Sequence, residues 1–148
     1  MIFSQLTKSG ILIKPQSLAT TATATGQVDT YGWNYLTVTW SLDSAAAVSS
    51  NPATLKLSED NATTTTTNDI AAFVGDGVGG FTVPNASTDT PQVLKMCVDL
   101  TKARKRYITG HLTPAGATQL VGATYELSRG DLSPRNASEA GCAALVIG

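Results

Sequence analysis

"YLTVTWSL", residues 35–42, decides how the rest of the chain is read. Leu36, Val38, Trp40 and Leu42 alternate with Thr37, Thr39 and Ser41. A period of two sends successive side chains to opposite faces, which is the pattern of a strand with one face in a core. Threonine suits the other face. Its branched Cβ favours an extended backbone, and its hydroxyl accepts either water or a partner.

The same logic finds strands on both sides. "ILIK" at 11–14 ends at Pro15, and "ATLKLS" at 53–58 alternates Leu55 and Leu57 with Lys56. "IAAFV" at 70–74 runs into the glycine-rich turn "GDGVGG", and "FTV" at 81–83 stops at Pro84. In "QVLKMCVDL" at 92–100, Leu94, Met96, Val98 and Leu100 share one face. "RYITGHLT" at 106–113, "ATQLVGATYEL" at 117–127 and "CAALVIG" at 142–148 complete the set. About eight short strands separated by turn residues, with no amphipathic helix, predict an all-β fold: an antiparallel β-sandwich, jelly-roll-like.

Two segments have little to bury. "SLATTATATGQVDT" at 17–30 is small and polar, which predicts an extended N-terminal arm over residues 1–30 ahead of a sandwich spanning 31–148. Ile11 and Ile13 are the apolar positions of that arm expected to touch a partner. "EDNATTTTTND" at 59–69 reads as a long exposed loop, and "DSAAAVSS" at 43–50 as a loop or a short helix.

Composition narrows the function. Charged residues make up 14% of the 148 positions, against roughly 25% in an average soluble domain. Threonine occurs 22 times and aromatics reach only 6%, so the core must be aliphatic and the surface rich in hydroxyls. Few charges need desolvating when such a surface meets another protein. The net charge is −1 and the pI about 5.7, so no global field draws a polyanion, and no nucleic-acid partner is expected.

Positive charge is dense only at Lys102, Arg104, Lys105 and Arg106. If strands 92–100 and 106–113 pair as a hairpin, the run sits at its tip. There it is either a hydrated turn that discourages edge pairing or a contact for an acidic patch on a partner protein. Nucleic acid is the weaker reading, because Tyr107 alone supplies an interleaved aromatic.

No chemistry-bearing constellation emerges, and the chain is expected not to be an enzyme. His111 is the single histidine and has no Cys, His or carboxylate at ligand spacing. It could act as a base for a Ser or Thr, but no G-x-S-x-G elbow and no orienting Asp accompanies it. "GDGVGG" lacks the Gly-Lys-Ser/Thr of a phosphate loop. Asp69 with Asp76, and Glu59 with Asp60, do not match the spaced ligands of a calcium loop. No metal or cofactor is therefore expected. Cys97 and Cys142 each lie in an apolar run and read as small buried hydrophobes. "RGD" at 129–131 is a short match that chance supplies often. The N-terminus shows no charged region ahead of a long apolar stretch, so no signal peptide is read. The longest apolar runs fall far below the roughly 20 residues a membrane span needs.

"VLKMCVDLTKARKRYITGHLTP" at 93–114, followed by a Thr/Ala-rich strand and a short apolar C-terminal run, resembles small head structural proteins of tailed bacteriophages. "VDTYGWNYLTVTWSL" at 28–42 and "LKLSEDN" at 55–61 extend the likeness, which covers roughly residues 28–148. The longer, Thr-rich N-terminal part departs from it. The resemblance implies a capsid decoration, or cement, protein on the virion surface, with the major capsid protein as partner and a homotrimer at threefold positions. It implies no catalytic residue. A second reading, from the residues themselves, is a carbohydrate-binding or host-adhesion module using Tyr31, Trp33 and Tyr35, with Trp33 the exposed ring.

Overall fold

The alternation at 35–42 is realised in the computed structural model, which describes residues 7–44, 52–63, 68–86, 91–128 and 144–147. Among the described residues nine strands form. They are β1 (Thr7–Leu18), β2 (Ala24–Asp29), β3 (Tyr35–Ser44), β4 (Pro52–Asp60), β5 (Asn68–Val74), β6 (Gln92–Asp99), β7 (Tyr107–Pro114), β8 (Gln119–Ser128) and β9 (Ala144–Ile147). They build two sheets, ordered β1-β8-β3-β6-β9 and β2-β7-β4-β5. All pairings are antiparallel except that of β9, which joins the edge of β6 in parallel. Successive strands mostly change sheet, and the first eight give the double-sheet order of a jelly roll. The expected fold class is the observed one.

β3 shows why the sheets stack. Leu36, Val38, Trp40 and Leu42 are buried, and so are Leu94, Met96 and Val98 on β6. These side chains meet Leu55 and Leu57 of β4, Phe73 of β5 and Ile108 and Leu112 of β7 in one cluster. Fully burying a side chain of this size stabilises by about 1.5–3 kcal/mol. Glycine lets the two sheets approach where β1 faces β2: a Cβ on Gly26 would run into the Leu12 carbonyl. On the facing β7, a Cβ on Gly110 would lie 2.9 Å from the Leu12 side chain and 3.0 Å from the Trp40 ring.

Three expectations are corrected. The arm drawn over residues 1–30 is, from Thr7 to Asp29, two edge strands: β1 pairs with β8 and β2 with β7. Removing residues 1–25 would therefore strip a strand from one sheet and open the core; residues 1–6 lie outside the described set. The hairpin drawn between 92–100 and 106–113 does not form, because β6 and β7 belong to different sheets and residues 100–106 cross between them. Finally, "FTV" at 81–83 is not a strand, and Phe81 makes only an isolated bridge to Gly75.

Candidate functional site

Each sheet has one face in the core and one facing outward. On the outer face of the five-stranded sheet, the β3 positions Thr37, Thr39, Ser41 and Asp43 set the rows. Thr39 lies between Thr124 of β8 and Lys95 of β6, and Thr37 between Glu126 and Cys97. Ser41 lies between Gly122 and Val93, and Asp43 is opposite Leu120. One half of the face is therefore hydroxylic and charged, and the other half apolar. In the apolar half Ile11 is 64% exposed, Leu120 45% and Val93 38%. Together with Pro15 and Pro91 they edge a groove of about 690 Å³, whose one charged lining residue among those described is Asp43. The Asp43 carboxylate accepts the Ser44 N–H at 2.8 Å.

β1 forms the wall of this groove, and it is an irregular edge. Its pairing to β8 slips between Ile11 and Ile13 and again between Ile13 and Gln16. Such bulges, with Lys14 and Pro15 on the strand, blunt an edge against adding another strand. The slip also separates the two sequence-predicted isoleucines. Ile11 stands out toward solvent, whereas Ile13 is 2% exposed and belongs to the core.

The outer face of the four-stranded sheet is polar throughout its centre. Ser58 of β4 and His111 of β7 share a hydrogen bond of 2.7 Å between Oγ and Nε2. The Ser58 hydroxyl also points to the Thr109 carbonyl at 3.4 Å. Lys56 and Asp69 form an ion pair of 2.8 Å beside them, and Gln27 donates to the Thr109 hydroxyl at 3.0 Å. Burial lowers the His111 pKa first and the Lys56 charge lowers it further, with Asp69 opposing. Periodicity alone hides this pair, because Ser58 and His111 lie on strands joined only by the fold. Ser58 is fully buried, so its hydroxyl presents no nucleophile to a substrate.

The basic run occupies the crossover at one end of the sandwich, where carboxylates of three other segments meet it. Arg106 grips Asp29 with two bonds, Nε to Oδ1 at 2.8 Å and Nη2 to Oδ2 at 2.6 Å. Its guanidinium lies 5.2 Å from the Tyr31 ring centre and 5.1 Å from that of Tyr107. The Arg106 bond above all holds the Asp29 carboxyl down at about 2, with help from the Tyr31 N–H. The Lys105 N–H donates to Glu59 at 3.1 Å. Asp99, held below the usual carboxylate range mainly by the Thr101 hydroxyl and N–H, faces Lys102 and Arg104. Arg104 and Lys105 are half-buried, Lys102 and Arg106 exposed. The crossover is thus pinned by its own chain, and a bidentate Arg–carboxylate pair is a fixed structure rather than a loose cation.

Of the aromatics put forward for a sugar, Trp33 packs against the core, while Tyr31 is 79% exposed. Cys97 is half-buried on the outer face opposite Thr37, not in the core. Cys142 and the 129–131 tripeptide lie outside the described residues. Among the described residues, no group of three potential ligands gathers as a metal site.

No protein-family model matches the chain, and no curated protein does either. Solved structures with similar folds include a chain of infectious bursal disease virus, Gx strain, at 9% identity and TM-score 0.49. That match covers 85% of this chain and 33% of the viral one, so the chain spans about a third of the viral chain's length. A CBM4 carbohydrate-binding module is similar at 9% identity and TM-score 0.43, over 82% of this chain and 70% of the module. The CBM22-1 xylan-binding domain from Paenibacillus barcinonensis matches at 12% identity and TM-score 0.42, over 88% and 90%. The neighbours thus include virus-particle chains and carbohydrate-binding modules, and function has to be argued from this chain's own residues.

Proposed function

We propose that this chain is a structural contact protein of a virus particle: a decoration protein on the outer surface of a tailed-phage head, which strengthens the shell by bridging major capsid subunits. The observation that carries the reading is the apolar half of the five-stranded sheet's outer face, where Ile11, Val93 and Leu120 remain exposed on a rigid scaffold. Exposed apolar side chains gathered on one face mark an interaction surface. The surrounding threonines can be covered by a partner without desolvating charges. A symmetric homotrimer would bring several such faces to equivalent shell subunits, so that weak contacts add through effective concentration. The absence of an enzyme role belongs to the same reading and is supported by the burial of Ser58, the hydroxyl beside His111.

Mixing the purified chain with undecorated shells of the virus that encodes it, then imaging the pelleted particles, tests this. Repeated knobs at symmetry-related surface positions are expected. Bare shells at saturating protein would reject it.

A second reading is favoured by Tyr31. Its exposed ring, stacked on a guanidinium that Asp29 fixes, resembles the flat platform on which a sugar ring rests, with charged hydrogen-bonding groups alongside. Glycan-array binding that disappears in Tyr31→Ala would establish it, and an array without signal would remove it.

A further inference from the structure

We propose that the groove on the outer face of the five-stranded sheet is the docking site for an extended, aliphatic segment of a partner polypeptide, with a basic residue of that segment seated against Asp43. The inference rests on the contact-protein reading and adds where the contact lies and what chemistry the partner brings.

Three features select this occupant. The groove's volume, about 690 Å³, falls within the roughly 300–1,000 Å³ typical of sites that enclose a small ligand or short segment. Its exposed aliphatic side chains, Ile11, Val93 and Leu120, are each only partly exposed, which suits the narrow contact of a single extended segment. Charge then sets the end group. Asp43 is the one acidic or basic residue described in the lining, so an aliphatic segment carrying a cation complements the groove and one carrying an anion does not.

The geometry also fixes how the segment lies. β1 is bulged at Ile11–Gln16, and Pro15 has no N–H to offer, so the occupant does not extend the sheet as a further strand. It lies across the face, its side chains between Ile11, Leu120 and Val93. Specificity therefore comes from side-chain burial and the Asp43 charge, and little from main-chain bonding.

The test uses the full chain and two short fluorescein-labelled peptides of alternating leucine and valine, one ending in lysine and one in glutamate, read by fluorescence anisotropy. The lysine peptide is expected to saturate the wild-type chain and to bind the uncharged variant Leu120→Ser at least about tenfold more weakly, while the melting temperature stays unchanged. Asp43→Lys should reverse the preference between the two peptides. Absence of saturable binding overturns the proposal, as does binding that Leu120→Ser and Ile11→Ser leave intact. So would wild-type dimers in sedimentation that Leu120→Ser dissolves, since the face would then belong to a second copy. Shell binding separates the two levels. Decorated shells with no peptide binding sink the groove and spare the decoration role; peptide binding as described with bare shells does the reverse.

Discussion

The outer faces of the two sheets are built from the same kinds of residue and differ in what is left over. On the four-stranded sheet polar groups answer one another: Ser58 meets His111, Lys56 meets Asp69, and Gln27 meets Thr109. On the five-stranded sheet three aliphatic side chains stand partly in water beside a groove. A sandwich that had only to fold would gain by closing both faces in the first manner. The difference is what favours the second face as the contact surface in the proposed role, while the first face is closed by its own hydrogen bonds and ion pair.

The largest effect comes from what the faces share. Trp40 is fully buried between them, and Trp40→Ala should destabilise the chain by about 3–5 kcal/mol. A chemical-denaturation midpoint would register that loss. A shift below about 1 kcal/mol would mean that the sheets do not depend on a common core.

Leu120→Ser sharpens the contrast between the faces. It should weaken partner binding at least about tenfold, or ~1.4 kcal/mol, yet move stability by no more than about 0.5 kcal/mol, as expected of a surface substitution. A melting temperature that collapses in this variant would assign Leu120 to the core and erase the distinction.

The four-stranded face should show itself through pH. Since the folded state holds the His111 pKa below its ordinary 6.5, the unfolded chain takes up the proton first as pH falls. Stability is then complete above the unfolded value and declines below it, toward the folded one. His111→Gln should flatten this part of a stability profile measured between about pH 7 and about pH 5. Parallel profiles for the two proteins would show that His111 is not held buried beside Lys56 in solution. The smallest effect belongs to Lys56→Ala. Its ion pair with Asp69 is substantially exposed, and such pairs contribute about 0–1 kcal/mol, a loss measurable by calorimetry at low salt.

Most of the interior was legible, because a period of two with large aliphatic side chains has only one interpretation. β3 and β6 follow their alternation residue by residue, and β4 does so from Leu55 to Leu57 before Ser58 is buried as well. β2 was not legible. Its inward positions are Ala24, Gly26 and Val28, and glycine is there so that β1 can pass close by. A small residue required by close packing looks, in sequence, like a residue with nothing to bury. The β6–β7 crossover is ambiguous in sequence for a related reason. Its polar turn residues suit a hairpin and a sheet change equally, and the carboxylates that pin it lie far away in sequence, at Asp29 and Glu59. No sequence pattern marks the groove, because Ile11, Val93 and Leu120 come from three strands and become neighbours only when β1, β8, β3 and β6 line up. Of the residues put forward for contact, Ile11 reaches that groove as an exposed side chain; Ile13 is turned inward by a slip of register that no pattern in the sequence announces.

The most direct test of the central claim is a cryo-electron-microscopy map of the virus particle at a resolution that places side chains. The account predicts this chain on the outer shell surface, with the Ile11–Val93–Leu120 face closed over an extended segment of the capsid subunit and the Ser58–His111 face toward solvent. A particle lacking the chain, or one in which the apolar face points into solvent, would contradict it.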